Sequence, residues 1–156
     1  MLHNNSAGRK HWKHVQRVRH RCLIQMSEVF KMEEYLRKML LNADAKALAT
    51  YSEDNLNVIP VSTIKIADEK ILLVDYFMEK TVQNILKNNS VSLVCWKDMK
   101  GFQIKGRCNY LTSGEYFDET VQWAKTEYPD RTVRGILLIT PLEVHDIAPD
   151  KSSRES

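Results

Sequence analysis

The sequence predicts a mainly β (α+β) domain, six antiparallel strands closed into a barrel with flanking helices. Short runs rich in Val, Ile and Thr recur along most of the chain, and most are joined by tight turns. Helical spacing appears only three times, too seldom for a doubly wound parallel sheet, which needs a helix at nearly every crossover. No G-x-G-x-x-G stands between a strand and a helix, which also argues against a dinucleotide-binding fold.

Length and composition set the frame. The 156 residues suffice for one domain with a substantial core, and 43% hydrophobic with 28% charged residues is ordinary for a soluble protein. No apolar run approaches a membrane span. Cys22, Cys95 and Cys108 are sparse, odd in number and never in C-x-x-C, which points to a reducing compartment and a cytoplasmic protein. The net charge of +3 is unevenly spread: residues 1–26 hold six of the 23 basic residues and no acid. The remaining 17 basic residues face 20 acidic ones, a formal −3, so the folded part does not favour nucleic acid.

Residues 1–26 are expected to form a basic, disordered extension, 27–149 the domain, and 150–156 a disordered tail. Within the extension, Trp12, Val15, Val18 and Cys22 have helical spacing, and a nucleic-acid arm or a membrane-surface segment competes with the plain solvated reading. His11, His14, His20 and Cys22 match no usual zinc spacing, so no metal site is expected.

Ser27 is a candidate N-cap for a helix whose apolar face is Val29, Met32, Leu36, Met39 and Leu40. Ala45 to Tyr51 predicts the first strand, with small residues on alternate positions. Asn57 to Ile66 predicts the second, interrupted by Pro60, which must lie at an edge or a bulge because it cannot donate to a ladder. Lys70 to Asp75 is the third strand, and Thr81 to Lys87 a short helix burying Val82, Ile85 and Leu86. Ser90 to Trp96 and Gly101 to Leu111 are the fourth and fifth strands, the latter with Phe102, Ile104, Cys108 and Tyr110 on one face. Thr112 and Glu115 have capping-box spacing for a helix running to about Glu127, and Gly135 to Ile147 is the last strand.

One corner stands out chemically. Lys80-Thr81 follows a strand and opens a helix, so a cation, a hydroxyl and free helix amides converge where a phosphate dianion would be favoured. A surface lysine before an ordinary helix cap has the same appearance. Elsewhere, Cys95 and Cys108 read as buried inert thiols, Trp96 and Trp123 as core or stacking aromatics, and His145 as a surface histidine without a carboxylate partner at obvious spacing. The sequence presents no nucleophile triad, acid–base pair or metal cluster.

Three segments follow one another at telling distances: Asn57-Val58-Ile59-Pro60-Val61-Ser62-Thr63-Ile64, Lys80-Thr81-Val82-Gln83-Asn84-Ile85-Leu86, and Gly101-Phe102-Gln103-Ile104-Lys105-Gly106. Together they resemble the FMN-binding split-barrel proteins related to pyridoxamine 5′-phosphate oxidase, over about Lys46 to Pro149. The resemblance implies a homodimer of six-stranded split barrels with FMN in the clefts between subunits. It implies that Val61, Ser62, Thr63 and Ile64 run along the flavin and ribityl chain, that Lys80 and Thr81 hold the phosphate, and that Gln103 faces the flavin. The oxidase pattern has arginine where Pro60 stands, an arginine–glutamine pair at Lys100-Gly101, and a basic, aromatic C-terminal segment beyond this tail. Lys65 does match a lysine of that pattern. These departures speak against vitamin B6 oxidation. The absence of a protein nucleophile or acid–base pair suits a protein whose cofactor supplies the redox chemistry. Related barrels take a deazaflavin or haem, which stay open as alternatives to FMN, and a nucleic-acid module built on the basic start remains a third class.

Overall fold

The computed structural model describes residues 31–148, and the expected extension, Ser27, Val29 and the tail from 150 lie outside them. Helix α1 (Glu34–Asn42) buries Leu36 and Leu40, with Met32 buried just before it, and is tied down by a 3.0 Å ion pair between Arg37 and Glu69. Strands β1 (Ala45–Ser52), β2 (Asn55–Pro60), β3 (Ile64–Ala67) and β4 (Lys70–Asp75) follow, then α2 (Glu79–Lys87). Strands β5 (Ser90–Lys97) and β6 (Lys100–Leu111), helix α3 (Glu115–Glu127) and β7 (Gly135–Asp146) complete the chain. All strand pairs are antiparallel, in the order β2-β1-β5-β6-β7-β4-β3.

The seventh strand arises because the single strand expected over Asn57 to Ile66 is two. Its halves, β2 and β3, form the opposite ends of the strand order. Residues 61–63 span between them: the Val61 N–H donates to the Lys46 carbonyl of β1 at 2.9 Å, and the Thr63 carbonyl accepts from Val74 N–H of β4 at 3.3 Å. The linker therefore exchanges one partner for the other and draws the two ends of the sheet together as a barrel. Pro60, the last residue of β2, lies opposite Ala47 at the break, where its lack of an N–H does least harm.

Alternation explains where the core sits. Leu48, Ile71, Leu73, Leu93, Ile104, Leu137 and Ile139 belong to one buried cluster within the barrel. The opposite faces of β4 and β7 contribute Leu72, Ile136 and Leu138 to a second cluster, packed with Tyr116 and Phe117 of α3. The near-continuous apolar run of β7 is thus a strand covered on both sides. At Gly106 the β6–β7 register shifts, and a Cβ there would stand 2.4 Å from the Thr140 carbonyl. Pro141 pairs opposite Gly106 at this same irregularity, a position that tolerates a missing donor.

Two helices differ from expectation. Helix α3 is not opened by a Thr112–Glu115 capping box: its N-cap is Gly114, at φ 94°, with no side-chain cap bond. Helix α2 buries Thr81, Asn84 and Ile85, while Leu86 is 71% exposed. The helix sits over a polar corner of the barrel, where Thr50 and Asn55 offer partners to an amide but none to a leucine. Cys95 and Cys108 are buried free thiols, and burial pushes Cys108 up to about 12, which keeps it in the unreactive thiol form. No helix of the described residues is long and apolar enough to cross a membrane.

Candidate anion-binding corner

The corner forms where β4 ends and α2 begins. Asp75 closes β4 and is buried, its Oδ1 accepting from Met78 N–H at 2.6 Å and its Oδ2 from the Tyr110 hydroxyl at 2.8 Å. This carboxylate shapes the loop over Tyr76 to Met78 and leaves Met78 as a helix N-cap with no side-chain cap bond. The amides of Glu79, Lys80 and Thr81 have no acceptor among the described residues, whereas Val82 N–H reaches the Met78 carbonyl at 2.9 Å. These three unpaired N–H groups stand at the positive end of the helix dipole, in a first turn that exposes Glu79 and Lys80 and buries Thr81.

Tyr110 records how tightly this loop is held. Burial first, then the hydrogen bond and charge of Asp75, raise its phenol to about 12. A folded value above the unfolded one of about 10 means that the associated stability is intact below pH about 10 and is lost between pH about 10 and 12. Tyr110→Phe is expected to remove that part of the alkaline loss, read as thermal midpoints across the pH range. An unchanged profile would show that Tyr110 does not carry it. The Tyr110 ring also dictates its neighbour: a Cβ at Gly135 would lie 2.4 Å from its hydroxyl oxygen.

Lys80 is the second residue of α2, inside its first turn, where the expected helix started at Thr81. The Thr81 side chain is buried and its Oγ1 accepts from Asn57 Nδ2 at 2.9 Å, so the hydroxyl faces β2 and the residue offers the corner its amide. The linker lies alongside through the bond between Thr63 and Val74, the residue before Asp75. Val61 and Ile64 point into the core and present only backbone, while Ser62 is exposed. The Thr63 hydroxyl is buried without a partner, an unmet donor beside the corner.

Gln103 lies elsewhere, on the outward face of β6, where its Nε2 donates to Ser92 Oγ at 3.1 Å and it stands cross-strand from His145. The same face carries a cleft of about 380 Å³ lined by Ala49, Tyr51, Ser92, Lys105, Leu142 and Glu143. His145 does have a carboxylate partner: its Nε2 lies 2.9 Å from Glu143 Oε2. That hydrogen bond is the chief cause holding the Glu143 carboxyl below its ordinary value, with the nearby Lys105 charge acting in the same direction. Strand alternation puts positions two apart on one face, a signal the sequence contained.

Several residues of the corner were missed altogether. Asn84 is buried and locks α2 to the barrel: its Nδ2 donates to Thr50 Oγ1 at 3.2 Å and to the Asn55 carbonyl at 3.0 Å, and its Oδ1 accepts from Asn55 Nδ2 at 3.0 Å. A Thr and an Asn three apart on a helix face, T-x-x-N, was the available hint. Among the described residues no group of three or more His, Cys, Asp or Glu side chains could hold a metal ion.

A split antiparallel barrel with an uncapped helix terminus beside the split defines the class. The family model for pyridoxamine 5′-phosphate oxidase matches residues 32–148, and the chain belongs to that family. It is 34% identical over 125 residues to the uncharacterized protein MJ0282 of Methanocaldococcus jannaschii, covering 76% of this chain and 83% of that protein. Similar solved structures include HupZ of Group A Streptococcus, with a TM-score of 0.67, 16% identity and coverage of 75% of this chain and 94% of that one. An FMN-binding protein from Syntrophomonas wolfei has a TM-score of 0.64 and 18% identity, covering 74% and 86%. At these identities the structural likeness establishes the fold.

Proposed function

We propose that this protein binds FMN, with the phosphate at the start of α2 and the flavin along residues 61–64, and that it acts as a flavin-dependent oxidoreductase or electron carrier. The observation that carries the reading is the set of unpaired amides with Lys80 at the start of α2, together with a 61–63 linker held beside the end of β4 by the Thr63 carbonyl and carrying a buried, partnerless Thr63 hydroxyl. A phosphate dianion and a ribityl chain supply the acceptors that these donors lack. Bound there, FMN would supply the redox chemistry. The chain's own residues would orient it, with Lys80 and the amides gripping the phosphate end and the linker backbone lining the ring. The departures at Pro60 and Lys100-Gly101 favour a substrate other than pyridoxamine 5′-phosphate.

Gln103 takes part in this reading through a second copy. The outer face of β2 and β1 exposes Leu56 (74%), Val58 (62%) and Tyr51 over a floor of Ala47 and Ala49, an apolar surface suited to homodimer formation. The proposed homodimer would use this face, with Gln103 of one copy serving the flavin held by the other.

The visible spectrum of the purified protein tests the cofactor. Either a yellow protein, or a colourless one that perturbs the FMN spectrum on titration, is expected. No change on adding FMN would overturn the flavin reading, and parallel titrations with a deazaflavin and haem identify which alternative replaces it.

A further inference from the structure

Lys80 is the side-chain cation of the first turn of α2, and the buried Asp75 carboxylate beneath the same loop opposes a second anion, offset in part by the Arg134 charge that acts on Tyr110 beside it. The connection between α3 and β7 answers this imbalance. It docks along the β4–α2 loop through Arg134 N–H, which donates to the Asp75 carbonyl at 2.9 Å. The same connection carries Arg131, whose guanidinium stands 5.2 Å from the Tyr76 ring centre and 5.0 Å from that of Tyr128.

Arg131 is therefore a cation held in place by two aromatic rings rather than by an acid. Neither it nor Lys80 has an ion-pair partner among the described residues. The ordering continues outward: Tyr128 meets Trp123 edge-on at 6.3 Å, and Lys65 lies 6.0 Å over the Trp123 ring. Two cations and three aromatic rings thus run in contact from β3 round to Tyr76, and Tyr76 is buried at 8% exposure with its hydroxyl unpartnered. Cation–aromatic contacts fix a guanidinium without neutralising it, which leaves its donors free for an anion.

We propose that Arg131 is a second cationic anchor of the corner, binding the phosphate group of the ligand at the start of α2 and making the site selective for a dianion. The proposal rests on the reading of that corner as an anion site, and not on the ligand being a flavin. A phosphate could belong to FMN or to a phosphorylated substrate, and the chemistry recognised is the same. With Lys80 and Arg131 together, two side-chain cations and the amides of the first turn are set against the carboxylates of Asp75 and the exposed Glu79.

The test measures binding of FMN and of riboflavin, which lacks the phosphate, to the full chain and to Arg131→Ala, Arg131→Lys and Lys38→Ala, the last an exposed cation on α1. FMN affinity is expected to fall about tenfold or more in R131A, to recover partly in R131K, and to be unchanged in K38A. Riboflavin affinity should stay within about twofold throughout. Unchanged FMN affinity in R131A, or equal losses for FMN and riboflavin, would overturn the proposal, the second result assigning Arg131 to support of the loop alone. If the full chain binds neither flavin, the flavin reading fails and inorganic phosphate becomes the probe. A rise in thermal midpoint with phosphate that R131A lacks would then support the anchor, and equal or absent rises would refute it.

Discussion

Lys80→Ala is expected to weaken FMN binding by about ten- to hundredfold while leaving riboflavin binding nearly unaltered. A hydrogen bond to a charged partner contributes about 1.5–3 kcal/mol, and here the partner is a phosphate at a helix terminus. Lys80 is exposed and free of ion pairs among the described residues, so its removal leaves the fold intact. The loss should shrink as salt is raised, because added ions screen an exposed charge. Fluorescence titration of both flavins at two salt concentrations measures it. Equal effects on FMN and riboflavin would move the phosphate away from α2.

Asn84→Ala is expected to produce the largest loss of stability, about 3 kcal/mol, because it leaves Thr50 and Asn55 without partners at a buried position and opens a small cavity. Leu86→Ala, at a residue the helical pattern assigns to the core, should stay within about 0.5 kcal/mol. Urea midpoints of the two variants decide between a polar lock and an apolar helix face. A more severe effect at Leu86 than at Asn84 would restore the apolar face. The lock bears on function too, since Asn84 and Thr81 together fix how α2 presents its first turn.

Most of the barrel was legible because strand alternation is a local property. The ends of β4, β5 and β6 agree with the sequence pattern to within a residue, and the inward set Phe102, Ile104 and Cys108 is buried as expected. The break at 61–63 was only half legible. Pro60 marks it, but the exchange of β1 for β4 depends on which strands the barrel brings near, a long-range fact. The rotated face of α2 has the same origin, since periodicity ranks Leu86 above Asn84 and only the partners Thr50 and Asn55 reverse the order. Among the candidate ligand residues, Lys80, Thr81 and the 61–64 segment gather at one corner, whereas Gln103 lies on the outer face. Arg131 was invisible because its place depends on the α3–β7 connection docking beside Tyr76.

The most direct test of the central claim is a crystal structure of the protein with FMN bound. The predicted result places the phosphate within hydrogen-bond distance of the Lys80 and Thr81 amides and of the Lys80 side chain, with the flavin along residues 61–64. A phosphate bound in the outer-face cleft by Lys105, or at any site away from α2, would contradict it.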